Sequence, residues 1–324
     1  MKFLLRRLGF YVLAAWVSLT LNFFIPRLAP GDPASALQAT FQGKLDPAAL
    51  EAMKSAFGLT DEPLYRQYFK YLGNLFQGDL GISIAHFPAP VTEVISEALL
   101  WTLLLAGVSV VISFSVGTIL GILSAWRRGG WLDSIAPASF IFLGAFPYFW
   151  LAMLLLFVLG FLGGWFPLRH AYSDTLSPAL TLEFLLDAIH HAFLPALSIV
   201  IASLGGWLLS MRNTMIGVIS EDYVTMAQAK GLSSRRVMLN YAARNALLPN
   251  ITGFGMALGF VLSGSLLTEI VFSYPGQGYL LFEAVKSMDY PLMQGLFLAI
   301  TVAVLAANWF VDIAYVFLDP RTRR

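Results

Sequence analysis

Long apolar blocks separated by short polar stretches set the pattern of this chain. A spanning helix needs about 20 mostly apolar residues, because the hydrocarbon layer is about 30 Å thick and each helical residue rises about 1.5 Å. Six blocks meet that length: Leu8 to Arg27, Leu99 to Ala125, Ser134 to Leu162, Phe193 to Met211, Leu247 to Phe272 and Leu292 to Leu318. The pattern predicts an all-α polytopic membrane protein with six transmembrane helices. The second block holds no charged residue, whereas the fifth and sixth each hold one carboxylate near an end, Glu269 and Asp312.

Composition agrees. Hydrophobic residues make up 58% of the 324 positions, charged residues 12%, and mean hydropathy is +0.72. A soluble domain carries about 25% charged residues, so this chain cannot build a water-facing surface throughout. Its net charge of +1 gives no general attraction to nucleic acid.

Lys and Arg orient the spans. With the N-terminus inside, the inner segments carry Lys2, Arg6, Arg7, Arg127 and Arg128, then Arg212, Lys230, Arg235, Arg236 and Arg244, then Arg321, Arg323 and Arg324. The short outer segments carry only Arg169 and Lys286, and the other outer cations lie in one long loop. Both termini are therefore expected in the cytoplasm. Arg6-Arg7 and the following apolar run also resemble a signal peptide. The run exceeds the usual apolar core of about 7–15 residues, and its removal would spoil the charge bias. An uncleaved helix at 1–28 is expected. It precedes an extracytoplasmic region at 29–98 and a five-helix core at 99–324, whose cytoplasmic loop is 212–246.

The outer region opens on the turn cluster Pro30-Gly31-Asp32-Pro33 and holds an expected helix from Pro47 to Phe57. The aromatic-rich segment Tyr65 to Phe76 suits the bilayer surface, and Gly78-Asp79-Leu80-Gly81 reads as a further turn. Composition leaves two readings open here, a loop region that packs the spans and a docking surface for a partner. In the cytoplasmic loop, Ile216, Ile219, Tyr223, Met226 and Ala227 recur at helical spacing, and Gly231 suits a helix stop. Ser233 is expected to cap a second helix, Arg235 to Arg244. Ala227, Ala229 and Gly231 are small enough for another surface to approach closely. An amphipathic segment resting on headgroups is the competing reading.

The chemistry absent from the sequence narrows the function. With no Cys there are no disulfides, thiolate metal sites or thiol nucleophiles. Only Lys44 follows a Gly, and Leu45 follows it, so the Walker phosphate loop is missing. No G-x-S-x-G occurs. Gly276-Gln277-Gly278 follows a membrane block and reads as a turn. His190-His191, with no carboxylate expected on the same helix face, reads as a membrane–water boundary rather than a metal site. Glu269 and Asp312 are expected to reach water from their helix ends, and Asn308 to hydrogen-bond across helices. A stand-alone secondary transporter would show an internal repeat, interrupted helices and midplane charges, and the sequence shows none. Six spans without energy-coupling chemistry call for a nucleotide-hydrolysing partner that grips the 212–246 loop.

At this point a resemblance carries further. Asp222-Tyr223-Val224-Thr225-Met226-Ala227-Gln228-Ala229-Lys230-Gly231-Leu232 resembles the coupling loop of ABC importer permeases, and more narrowly that of the oligopeptide/dipeptide/nickel-type branch. Arg244-Asn245-Ala246-Leu247-Leu248-Pro249 is similar too, as are Trp165-Phe166-Pro167, Pro275-Gly276-Gln277-Gly278, Asp289-Tyr290-Pro291 and Leu318-Asp319-Pro320-Arg321. Their order extends the likeness over nearly the whole chain. Thr225 stands where other importers carry Glu, and Arg244 where many carry Pro, as in the peptide-type branch.

The resemblance implies a type I ABC importer permease fold in a prokaryotic inner membrane. It implies a second, different permease subunit, two ATPase subunits below and an extracytoplasmic substrate-binding protein above. ATP and Mg would be held by the ATPases, with no cofactor in this chain. Tyr223, Ala227, Ala229, Lys230, Gly231 and Arg235 would form the ATPase-coupling surface, with Lys230, Arg235 and Arg236 facing acidic groups. The branch serves di- and oligopeptides, and also oligosaccharides, nickel chelates or glutathione. The pathway-lining residues are not assigned.

Overall fold

The computed structural model describes residues 2–28, 62–261 and 265–318, and among them every regular element is helical. The Pro30–Pro33 turn, the expected helix from Pro47 to Phe57 and the Asp319-Pro320-Arg321 ending lie outside the described residues. The helices are α1 (Lys2–Leu28), α2 (Leu64–Phe76), α3 (Val91–Thr102), α4 (Val108–Trp126), α5 (Trp131–Gly144), α6 (Tyr148–Leu155) and α7 (Leu182–Ile219). After them come α8 (Asp222–Ala229), α9 (Ser234–Arg236), α10 (Arg244–Val261), α11 (Leu266–Val271), α12 (Gln277–Lys286) and α13 (Tyr290–Leu318). Wider π-helical turns fill Leu103–Gly107, Leu156–Leu162 and Val237–Ala243.

Among the described residues, four helical runs are long and apolar enough to cross a membrane: Gly9–Leu28, Val91–Trp126, Leu182–Ile219 and Tyr290–Trp309. The third apolar block is not the uninterrupted helix the sequence predicts. It bends by 94° between Trp131–Gly144 and Tyr148–Leu162 and supplies a fifth span if the two halves count as one. The cause is Pro147, which pushes the residue before it out of helical geometry and starts α6 from an extended conformation (φ −55, ψ 133). The fourth block is longer than its apolar stretch. At 38 residues, α7 extends well past a hydrocarbon layer. Asp187, His190 and Arg212 hide those extensions from an apolar count. The Thr181 hydroxyl caps the start by accepting from the Phe184 N–H at 3.3 Å. The fifth block is divided between α10 and α11, and 262–264 lie outside the described residues.

The chain divides into two compact units. One comprises α1, α2, α3, α12 and most of α13. Its core joins Val91, Ile95 and Ala98 of α3 to Leu280 and Ala284 of α12 and to Leu292, Met293 and Leu296 of α13. Gly295 lets α13 approach α3 closely, since a Cβ there would stand 2.5 Å from Val91 Cγ1. Asp289, fully buried, caps α13 by accepting from the Leu292 N–H at 3.1 Å. The same carboxylate accepts from Ser83 Oγ at 2.5 Å and the Ala85 N–H at 2.9 Å.

The other unit comprises α4 to α10 and residues 267–274. Its tightest seam joins α4 to α7. A Cβ on Gly117 would meet Trp207 Cβ at 2.7 Å, and one on Gly121 would meet the Leu208 carbonyl oxygen at 2.6 Å. These glycines form a G-x-x-x-G pair, which lets membrane helices pack backbone to backbone. Beside the seam, Asn250 of α10 accepts from Ser210 Oγ at 2.6 Å and donates to Thr118 Oγ1 at 3.4 Å. Asn250 thus hydrogen-bonds across helices in this unit, and Asn308, in the other, is half-buried.

Candidate coupling site

The 212–246 loop folds as helix, glycine turn and helix, as its pattern predicts. Helix α8 starts after Glu221, with Asp222 in its first turn near the positive helix end. It stops through a Schellman turn. The Gly231 N–H donates to the Gln228 carbonyl at 2.9 Å and the Leu232 N–H to the Ala227 carbonyl at 3.4 Å. Gly231 itself takes φ +71. That left-handed backbone costs other L-residues about 1–2 kcal/mol, which explains glycine here.

Val224 and Ala227 seat α8 on a core of Met211, Met215, Val237, Ala242, Ala243 and Ala246, against which Ile216, Ile219 and Leu232 pack. The buried side is therefore Val224 and Ala227. Tyr223 and Met226, expected to share a face with Ala227, are exposed. They flank the two seat residues in sequence, and a helix turns each successive side chain by about 100°. Ala227 is 2% exposed, so the close approach its small side chain permits is made within the chain. Ala229, Lys230, Gly231 and Arg235 are all exposed, with Asp222, Thr225 and Gln228 beside them.

One side-chain bond ties α8 to its base, where Asn245 Nδ2 of α10 donates to Tyr223 Oη at 3.0 Å. A second ties the end of α4 to the returning α9, where Trp126 Nε1 donates to Ser234 Oγ at 3.1 Å. The returning helix begins at Ser234 rather than Arg235. Ser233 stands at its cap position, but its side chain makes no cap hydrogen bond, contrary to expectation. Its carbonyl accepts from the Val237 N–H instead, at 3.0 Å.

The root of the loop is an ion pair that the sequence reading missed. Arg212 Nε meets Asp133 Oδ1 at 2.5 Å, with the Asp133 side chain 7% exposed and that of Arg212 22%. Asp133 also accepts from Ser124 Oγ and the Gly129 N–H, both at 2.9 Å. One carboxylate thus joins the end of α4, the start of α5 and the segment of α7 that leads into the loop. Asp133 alone among polar neighbours gives no periodic signal. Trp126 was equally silent, and Asn245, although part of the Arg244–Pro249 motif, carried no sign of its bond to Tyr223.

The other singled-out residues fall elsewhere. Glu269 has no exposed surface, which overturns the expectation that it reaches water. The chain folds back over the end of α11, where the Tyr274 N–H bonds the Glu269 carbonyl at 2.8 Å. The side chain of Asp312 lies outside the described residues. His191 does have a carboxylate on its helix face, because Asp187 one turn earlier places Oδ2 3.4 Å from Nδ1. That carboxylate is engaged by the Ser173 N–H and hydroxyl, both at 2.7 Å. No group of three His, Asp or Glu poised for a metal occurs among the described residues. Gly276 caps α12, so Gly276-Gln277-Gly278 is a turn into a helix.

The site thus combines a glycine helix stop, an exposed helix surface and a packed base on a helical protein with several apolar spans. Residues 117–324 match the family described as binding-protein-dependent transport system inner membrane component, and residues 1–114 match its N-terminal companion. The chain belongs to this family and is a permease component of such a transport system.

Relatives align along nearly their full length. The chain is 38% identical over 303 residues to the oligopeptide transport system permease protein AppB of Bacillus subtilis, covering 93% of this chain and 92% of that protein. It is 32% identical over 340 residues to the dipeptide transport system permease protein DppB of Escherichia coli K12, covering 100% and 99%. It is 32% identical over 323 residues to the glutathione transport system permease protein GsiC of Escherichia coli O6:H1, covering 100% and 99%. The family makes the chain part of an ABC transporter with ATPase and substrate-binding partners.

Proposed function

We propose that this chain forms half of the translocation pathway of an ABC importer for di- and oligopeptides. The observation that carries the cargo is its end-to-end likeness to relatives named for oligopeptides and dipeptides. Glutathione, in the name of a third, is itself a tripeptide. The fold has six spans in a type I arrangement, the divided α10–α11 segment completing the count, with both termini in the cytoplasm. A second permease subunit pairs with this one, two ATPases bind beneath, and a loaded binding protein docks above. ATP and Mg reside in the ATPases.

In this reading α8 is the coupling helix. Tyr223, Ala229, Lys230, Gly231 and Arg235 face a groove of one ATPase, while Val224 and Ala227 hold the helix on its base. Motion of the ATPase then passes through the Asp133–Arg212 pair to α4, α5 and α7 together. The test is ATP hydrolysis by the complex purified with its co-expressed neighbours and reconstituted in lipid. Addition of peptide-loaded binding protein is expected to stimulate it, and Ala229→Trp to abolish that response by bulk. Normal stimulation in Ala229→Trp would remove α8 as the coupling surface. Stimulation by loaded oligosaccharide but by no peptide would remove the cargo assignment.

A further inference from the structure

Helix α2 carries three faces. At 3.6 residues per turn, Tyr65, Phe69, Leu72 and Phe76 fall on one line, Tyr68, Tyr71 and Leu75 on a second, and Arg66, Lys70 and Asn74 on a third. The chain itself occupies the second face. The Tyr68 ring lies 5.3 Å from that of Phe23, and its hydroxyl hydrogen-bonds that of Thr20 at 2.8 Å. Tyr71 lies 5.6 Å from Phe23, and Arg27 stands 3.8 Å over the same ring. On the first face Tyr65 is 60%, Phe69 67% and Phe76 85% exposed, and Leu72 between them is half-buried.

These contacts fix the depth of α2. Thr20 precedes the Leu28 end of α1 by about 12 Å of helix at about 1.5 Å per residue, and Phe23 and Arg27 lie closer to that end. Helix α2 therefore runs beside the last turns of the span Gly9–Leu28 rather than beyond it. A bilayer's polar zone is about 5–8 Å thick on each side, and aromatic side chains concentrate there. On α1 itself, Trp16, Leu21, Ile25 and Leu28 are exposed as well, so apolar side chains stand bare at the depth of α2. Arg66 and Lys70 border the stripe on the side away from α1, where a helix lying in the headgroup layer presents its cations to phosphate.

We infer that α2 is an interfacial anchor, lying in the headgroup layer where α1 emerges. Its Tyr65–Phe69–Phe76 stripe enters the acyl boundary and Arg66 and Lys70 face phospholipid phosphates. The inference rests on α1 being a span; the proposed orientation makes the leaflet the outer one. Such an anchor holds the chain entering α3 at a fixed height and leaves the water-facing edge of the region to other partners.

The natural chain has no Cys, so in a complex whose other subunits have had their Cys replaced, any introduced Cys carries a unique nitroxide. Single variants Tyr65→Cys, Phe69→Cys, Phe76→Cys, Lys70→Cys and Asn74→Cys, with Trp16→Cys as the span control, would be labelled in the complex. The complex sits in nanodiscs of phosphatidylcholine and phosphatidylglycerol. Collision with oxygen, which concentrates in lipid, is compared with collision with a water-soluble nickel chelate. The oxygen-to-nickel ratio is expected to be several-fold higher at 65, 69 and 76 than at 74, with 70 between. A ratio at 69 and 76 equal to that at 74 places the stripe in water and overturns the inference. Shielding of 69 and 76 from both probes means a protein subunit covers the stripe, which also overturns it. In either case a lipid-like ratio at 16 shows that the α1 span stands, so the two failures are distinguishable.

Discussion

Asp133 and Arg212, far apart in sequence, meet at 2.5 Å at the root of the 212–246 loop, and the same carboxylate holds Ser124 Oγ and the Gly129 N–H. Removing one partner of a buried pair costs about 3–5 kcal/mol, because the other charge is left unpaired. Arg212 is partly exposed, so Asp133→Ala is expected at the lower end, about 3 kcal/mol. Asp133→Asn keeps acceptor and shape and should cost less. Unfolding temperatures of the detergent-solubilised complex check the order. Equal stability in all three proteins would mean that the pair does not hold the base together.

The glycine seam between α4 and α7 gives a sharper contrast. A Cβ on Gly121 would meet the backbone oxygen of Leu208 at 2.6 Å and Met211 Cβ at 2.8 Å, whereas one on Gly206 meets nothing within 4 Å. Overpacking costs about 1–3 kcal/mol. Gly121→Ala should lower thermal stability by that amount. Gly206→Ala should leave it unchanged or raise it slightly, since alanine is the better helix former. Matched unfolding curves for the two variants would refute the close packing.

Much of this architecture was legible because a bilayer imposes length and apolarity on whole helices. The α8 stop was legible because Gly231 answers a local backbone demand. Legibility ended where a feature depends on a partner distant in sequence. Asp133 looks like any loop carboxylate until Arg212 is brought to it. Tyr223 and Ala227 both fit the period of a helix, and only the core beneath shows that one faces out and the other in. The bend at Pro147 was readable, since a proline within an apolar block marks a break, and the block's length masked it. The Gly117–Gly121 pair was readable too, because G-x-x-x-G in an apolar segment carries a packing mechanism.

Asp289 tests whether a long-range polar contact organises the first unit. Its buried carboxylate accepts from Ser83 Oγ, Ala85 N and Leu292 N. Asp289→Ala strands these donors, each costing about 1–3 kcal/mol when buried. Some are relieved by water, so a net loss of about 3 kcal/mol is expected. Ser83→Ala removes one donor and should cost about 1 kcal/mol. Hydrogen exchange should show faster amide exchange at 83–86 and at the first turn of α13 in Asp289→Ala. Unchanged protection there would mean that the apolar core of this unit positions the segment unaided.

Gly231 separates backbone demand from surface bulk. A Cβ there meets nothing within 4 Å, yet φ is +71. Asparagine enters this region more readily than other residues, so Gly231→Asn should retain the turn, while Gly231→Val should strain it by about 1–2 kcal/mol. If α8 works as a positioned coupling element, Gly231→Val should weaken the ATPase response to loaded binding protein more than Gly231→Asn, although both side chains are small. Should the two variants lose the response equally, surface contact at 231 governs coupling and the turn conformation does not. If neither loses it, the α8 stop is a folding device alone.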